Sequence, residues 1–140
     1  MQKRIIPPIL FLLLSFIIAC DKHNGPPTLS DPSAPDSLAK GSTDTAFVFV
    51  TAVDPDGADD IDSVYFITTR PDGSSNGFHF AMNDGGMLGD SVAGDNRFTT
   101  GILAPSDSAQ TGDYTFTFYA FDKHGNKSNS PTVTVTAYPR

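Results

Sequence analysis

From residue 45 onward the chain runs in short stretches that alternate apolar and polar side chains, each stretch ended by aspartate, glycine or proline. A period of two sends successive side chains to opposite faces of an extended strand, so each stretch has one face to bury. The stretches are Thr45 to Val53 (TAFVFVTAV), Ile61 to Thr69 (IDSVYFITT), Gly77 to Met82 (GFHFAM), Arg97 to Leu103 (RFTTGIL), Tyr114 to Phe121 (YTFTFYAF) and Thr132 to Tyr138 (TVTVTAY). A first edge strand over Thr28 to Ser30 brings the set to seven at nearly regular spacing. That is the pattern of an all-β, antiparallel sandwich. All 16 acidic residues are aspartate, and 12 Gly and 11 Pro accompany them. These residues favour turns and caps over helix interiors, and no useful helical period follows residue 20.

The same alternation assigns faces. Tyr114, Phe116, Phe118 and Ala120 share one side of their strand, and Thr115, Thr117, Tyr119 and Phe121 share the other. Val133, Val135 and Ala137 point inward from the last strand. The Thr45–Val53 strand is apolar on both faces and is expected to be central and covered on both.

The first twenty residues carry a different signal. A basic start with Lys3 and Arg4 leads into Ile5 to Ala19, which is apolar but broken by Pro7 and Pro8. It falls short of the roughly 20 residues a spanning helix needs, and it has the layout of a secretory signal. Ile17-Ile18-Ala19-Cys20 closes it and resembles a bacterial lipobox. The resemblance implies cleavage before Cys20 and acylation of that cysteine, with a thioether-linked diacylglyceryl group and an amide-linked chain such as palmitate. The alternative is a buried free thiol, which the signal-like flank and the lack of a second cysteine argue against. The chain then divides into a signal peptide (residues 1–19), a lipidated Cys20 with a Pro/Asp/Ser linker (residues 20–36), and a folded domain (residues 37–140) whose first edge strand begins near residue 28. The expected location is the bacterial cell envelope, anchored to a membrane and facing the periplasm or the cell surface.

The segment Gly112-Asp113-Tyr114-x-Phe116-x-Phe118-x-Ala120-x-Asp122-x-x-Gly125-Asn126-x-Ser128 resembles the penultimate strand and last hairpin of bacterial Ig-like and fibronectin-type-III-like surface modules. Asp54-Pro55-Asp56-Gly57 and Asn83-Asp84-Gly85 with Gly89-Asp90 and Ala93-Gly94-Asp95 resemble loops of such modules. The resemblance covers about Leu29 to Tyr138 and implies a seven-stranded Ig-like sandwich. It makes Tyr114 the tyrosine-corner residue, with its ring buried and its hydroxyl on nearby backbone. Antibody-type domains differ in having a Trp and a Cys pair, which this chain lacks.

Two clusters could carry chemistry. Asp54, Asp56, Asp59, Asp60 and Asp62 fall within nine residues, and oxygen-rich sets suit Ca²⁺. The spacing is not that of an EF-hand, because Gly57 stands fourth and Tyr65 twelfth. Asn83, Asp84, Asp90, Asp95 and Asn96 form the second cluster, threaded by Gly85, Gly86, Gly89 and Gly94. Each cluster reads first as plain turn chemistry, its acids solvated or capping backbone N–H groups, and second as a calcium site. Ca²⁺ is the one cofactor expectation. Tyr65, Ile67, Tyr119 and Phe121 form a candidate outward face for a protein or glycan partner; the alternative is that they pack under the linker or a long loop, or support the sheet through cross-strand pairs.

The exclusions are broader. A formal net charge of −7 argues against a nucleic-acid partner, since phosphate contacts need clustered Lys and Arg. No phosphate-loop or nucleophile-elbow motif is present. His23, His79 and His124 have no zinc spacing and read as surface or edge residues. The expectation is a non-catalytic, lipid-anchored module with a structural or binding role; the alternative is a calcium-dependent adhesion or carbohydrate-binding module.

Overall fold

The computed structural model describes residues 24–140. Eight strands form two sheets: β1 (Thr28–Ser33), β2 (Ser37–Ala39), β3 (Thr45–Val53), β4 (Ile61–Thr69), β5 (Phe80–Met82), β6 (Arg97–Leu103), β7 (Gly112–Asp122) and β8 (Thr132–Tyr138). The three-stranded sheet has the order β1-β3-β6 and the five-stranded sheet the order β2-β8-β7-β4-β5. The only helical element among the described residues is one 3-10 turn, Ala58–Asp60. The all-β reading is borne out, and the two sheets enclose one apolar core.

The expected seven strands become eight, and one pairing is parallel. Ser37–Ala39 runs parallel to Thr136–Tyr138 along the outer edge of β8. Three residues cannot display a period of two, so the pairing is decided by the free edge of β8 and by Leu38, which packs against the core. The stretch from Gly77 also shortens. Only Phe80–Met82 is strand, because Ser75 and Asn76 side chains accept from the N–H groups of Gly77 and Phe78 and turn the backbone away. Thr28–Ser33, inside the Pro-rich segment, is a full strand against β3. Asn129 grips it at two points, donating to the Leu29 carbonyl (2.8 Å) and accepting from the Leu29 N–H (2.7 Å).

Phe66 is the hub of the core. Its ring stacks on Phe80 (4.7 Å) and Phe116 (4.8 Å) and tilts against Phe118 (5.5 Å). Val48, Val50 and Ala52 seal the facing sheet from β3. That strand is central, but its outer face is not covered by a layer of structure as expected. Phe47 is 37 % exposed, and cover comes from the β5–β6 loop and from Arg97, whose guanidinium lies 4.3 Å from the centre of the Phe49 ring. Gly89 makes the loop's approach possible. It has φ +89°, and a Cβ there would meet the Phe47 ring at 2.9 Å and the Phe49 ring at 3.1 Å. An L side chain would be strained by the backbone and blocked by the rings.

Candidate functional site

Three places hold the residues singled out above: an acidic loop at one end of the sandwich, a second acidic loop over β3, and the outer face of the five-stranded sheet.

The first loop joins β3 to β4. Its backbone is set by the Gly57 N–H donating to the Asp54 carbonyl (3.1 Å) and by the Asp56 N–H donating to Asp54 Oδ1 (2.8 Å). Asp54 is 5 % exposed. Asp54, Asp56 and Asp60 each offer a carboxylate oxygen within 4.8 Å of the others, whereas Asp59 and Asp62 are exposed and join no such group. Oδ2 of Asp54 and Oδ2 of Asp56 are buried and accept no hydrogen bond.

The β7–β8 hairpin meets this loop. Asp60, Asp122 and His124 form a second group at the same spacing, with His124 Nδ1 3.2 Å from Asp60 Oδ2. The Lys123 N–H donates to the Asp60 carbonyl at 2.8 Å. Asp122, only 2 % exposed, accepts from the N–H groups of His124 (2.9 Å) and Asn126 (2.8 Å) and from the Asn126 amide (2.7 Å). Burial alone pushes its carboxyl up, but these donors outweigh burial and hold it below the usual aspartate value. Asn126 also donates to Asn24 at 2.9 Å, so the first described residue is tied to the same end. Asp122 and His124 were not among the candidate acids and ligands of the sequence. Their signal was the Asp122-x-x-Gly125-Asn126 hairpin, which shows a tight turn but not which loop it faces.

The second loop, β5–β6, uses similar residues differently. Asp84 Oδ1 accepts from the N–H groups of Gly94 (2.9 Å) and Asp95 (3.3 Å), and Oδ2 from that of Asn96 (2.8 Å). The Asp90 and Asp95 side chains each cap an N–H two residues on. Asp84, Asp90 and Asp95 do come within 4.8 Å, and Asp90 Oδ2 has no partner, but Asp84 is fully engaged in folding the loop.

On the outer face of the five-stranded sheet, β4 pairs with β7 so that Tyr65 lies opposite Tyr119. Their rings are 5.6 Å apart, Phe121 lies 6.3 Å from Tyr65, and Lys127 Nζ sits 4.0 Å over the Tyr119 ring. The exposed His79 ring stacks on Tyr65 at 4.0 Å, nearly parallel. Burial, with Tyr119 beside it, raises the Tyr65 phenol above its ordinary value, so it stays a neutral donor. His79 and Lys127 complete a patch that sequence alternation alone does not gather. Tyr114 is half-buried, packs on the core, and donates its hydroxyl to the Gln110 carbonyl at 3.1 Å. Cys20 and His23 lie outside the described residues. An apolar cavity of about 380 Å³ opens beside Phe66, Phe80 and Ile102, and no charged residue lines it. Apolar walls of this kind suit packing or an apolar guest more than acid–base chemistry.

Among curated proteins, none matches the chain. Two solved structures share the fold at low identity, and a third is similar at a lower TM-score. The PKD domain of an M14-like peptidase from a Thermoplasmatales archaeon superposes with a TM-score of 0.51 at 19 % identity, covering 84 % of this chain and 99 % of that one. A variant of the SrpA adhesin from Streptococcus sanguinis gives 0.53 at 17 % identity, covering 84 % and 61 %. The fibronectin(III)-like modules of Clostridium thermocellum CbhA give 0.48 at 18 % identity over 81 % of this chain, which spans 47 % of their length. The family model for the bacterial Ig-like domain matches residues 16–137. With that match over most of its length, and with β4 and β7 paired in a two-sheet sandwich, the chain belongs to the bacterial Ig-like domain family.

Proposed function

We propose that this chain is a lipid-anchored, extracytoplasmic Ig-like module that performs no turnover and holds a protein or glycan partner on the outer face of its five-stranded sheet. The observation that carries the reading is the patch of Tyr65, His79, Tyr119, Phe121 and Lys127. Flat rings with polar edges and a cation beside them suit the C–H faces and hydroxyls of a sugar, or an aromatic side chain of a protein. Family membership supports a non-catalytic role. The anchor rests on the Ile17–Cys20 motif, with the membrane of the bacterial cell envelope as its partner and no nucleic acid.

Two experiments test it. Metabolic labelling with a fatty-acid analogue should mark the wild type and leave Cys20→Ser unlabelled; an unlabelled wild type removes the anchor. A glycan array, with a pull-down from the native envelope, should give a ligand whose binding falls at least tenfold in Tyr65→Ala/Tyr119→Ala. Unchanged binding in that variant would move the site elsewhere. A second reading, a calcium-dependent adhesion or carbohydrate-binding module, is favoured by the two unpartnered oxygens of Asp54 and Asp56.

A further inference from the structure

We infer that Asp54, Asp56 and Asp60 hold one Ca²⁺ ion at the end of the sandwich, and that the ion braces the β3–β4 loop against the β7–β8 hairpin. The inference rests on the calcium-dependent reading and goes beyond it by fixing the ligands, excluding the second acidic loop, and giving the ion a mechanical task.

The acids alone would not carry this. Many Asp-rich turns are satisfied by their own backbone, as Asp84 shows with three N–H donors. The β3–β4 loop is different because two neighbouring acids, Asp54 and Asp56, each keep an unpartnered oxygen and Asp54 is almost wholly buried. The β5–β6 loop leaves only Asp90 Oδ2 buried without a partner. Asp60 keeps one oxygen beside His124 Nδ1 at 3.2 Å. Asp54 is more than nine-tenths buried, and its Oδ2 has no partner, while its Oδ1 takes the Asp56 N–H. Asp56 has a second such oxygen. A buried polar atom without a partner is costly, and a buried anionic one more so. Asp60 adds a third carboxylate within 4.8 Å, and no Lys or Arg salt bridge offsets the set among the described residues. Three converging carboxylates with spare lone pairs call for a hard cation. Ca²⁺ takes 6–8 oxygens and tolerates irregular geometry, so the exposed flank of the loop at Pro55 and Gly57 can admit water to complete the shell. Mg²⁺ demands near-octahedral geometry and dehydrates reluctantly.

Asp122 strengthens the site without being a free ligand. Its oxygens are occupied by hairpin donors, yet its negative charge sits directly behind Asp60. The Asp60 main-chain carbonyl accepts from the Lys123 N–H and its carboxylate meets His124 Nδ1, so fixing Asp60 fixes the hairpin. Asn126 of that hairpin holds Asn24. The ion thereby stiffens the point at which the N-terminal segment enters the sandwich.

The test is calcium titration of the full chain in detergent, followed by calorimetry and thermal melting. One site is expected, with a Kd of about 10⁻⁴–10⁻³ M. About 10 mM CaCl₂ should raise the Tm by about 5–20 °C over a chelator control, the lower figure at the weaker Kd, and MgCl₂ by less than half as much. Asp56→Asn/Asp60→Asn should bind at least tenfold more weakly and lose the shift, while Asp84→Asn keeps it. Should the double variant not fold, Asp56→Asn alone carries the same test. A wild type with no shift, a shift that survives in the variants, or equal responses to the two cations overturns the inference. Calcium binding is read here without any glycan. A glycan array run with and without chelator tests the adhesion reading separately, and its failure leaves the ion site standing.

Discussion

The β3–β4 and β5–β6 loops are both rich in Asp and Gly, and they leave their central carboxylates, Asp54 and Asp84, in opposite states. In the β5–β6 loop, Asp84 is surrounded by the N–H groups of residues 94–96, and the loop folds around it. In the β3–β4 loop, the Asp56 N–H takes one oxygen of Asp54, and the other oxygen, beside two further carboxylates, has no partner. What a carboxylate does is set by where the backbone donors are and not by how many acids stand nearby. A saturated carboxylate is a structural staple, and an unsaturated buried one is a binding site in waiting.

The largest expected effect removes the support common to both loops. Phe118→Ala opens a cavity in the fully buried core and should cost about 3–5 kcal/mol, measured by urea unfolding. Against a total of roughly 5–15 kcal/mol that is enough to threaten the fold. A negligible effect there, beside a large one at Thr117→Ala, would mean the faces of β7 are reversed. Next comes the staple itself. Asp84→Asn replaces one acceptor oxygen with an N–H₂ that opposes the incoming donors, so a loss of about 1–3 kcal/mol is expected, the same with and without calcium. Rescue of that variant by calcium would break the comparison by making the β5–β6 loop a metal site too.

The acid response should be smaller. Asp122 is held below the ordinary carboxyl value by its hairpin donors against burial, and Asp72 is lowered to about 2, chiefly by the Ser74 and Gln110 hydrogen bonds. A carboxyl with a lower pKa in the folded state adds stability above its unfolded pKa and loses it as pH falls through the folded one. The urea midpoint should therefore decline from about pH 4 toward about pH 2, less steeply in Asp122→Asn. A midpoint constant across that range would mean that the hairpin holds Asp122 no better than water does. The smallest effect has the opposite sign. In chelator, Asp56→Asn should leave stability unchanged or raise it by less than about 1 kcal/mol, because it removes one of three crowded charges. A clear loss would put Asp56 with Asp84 among the staples.

The sequence discloses these features unevenly, for physical reasons. Phe116, Phe118 and Ala120 inside and Tyr119 and Phe121 outside follow from a long unbroken alternation, which β7 preserves over eleven residues. Ser37–Ala39 was hidden because a three-residue strand has no period and its partner lies about 100 residues away, at Thr136–Tyr138. Coverage of Phe47 and Phe49 by Gly89 was hidden too, since a glycine shows that close approach is possible but not what approaches. Both acidic clusters were visible as compositions. Which oxygens remained free was not, because that depends on N–H groups ten to twelve residues along the chain for Asp84, and on a hairpin about sixty residues away for Asp60. Tyr65 and Tyr119 emerged from strand pairing, whereas His79 joined them from a segment that alternation had assigned to a strand.

The parallel contact of β2 with β8 has a consequence under force. β2 is entered from its N-terminal end, and β8 leaves toward the C-terminus at the opposite end of the shared ladder. Tension that pulls the two ends of the domain apart therefore slides these strands past each other instead of peeling them. The bonds from the Thr136 N–H to the Asp36 carbonyl and from the Lys40 N–H to the Tyr138 carbonyl flank the ladder, both at 2.9 Å, and would be strained together. Peeling breaks one bond at a time, but sliding must break them at once. Three residues at a sheet edge thus act as a latch against shear.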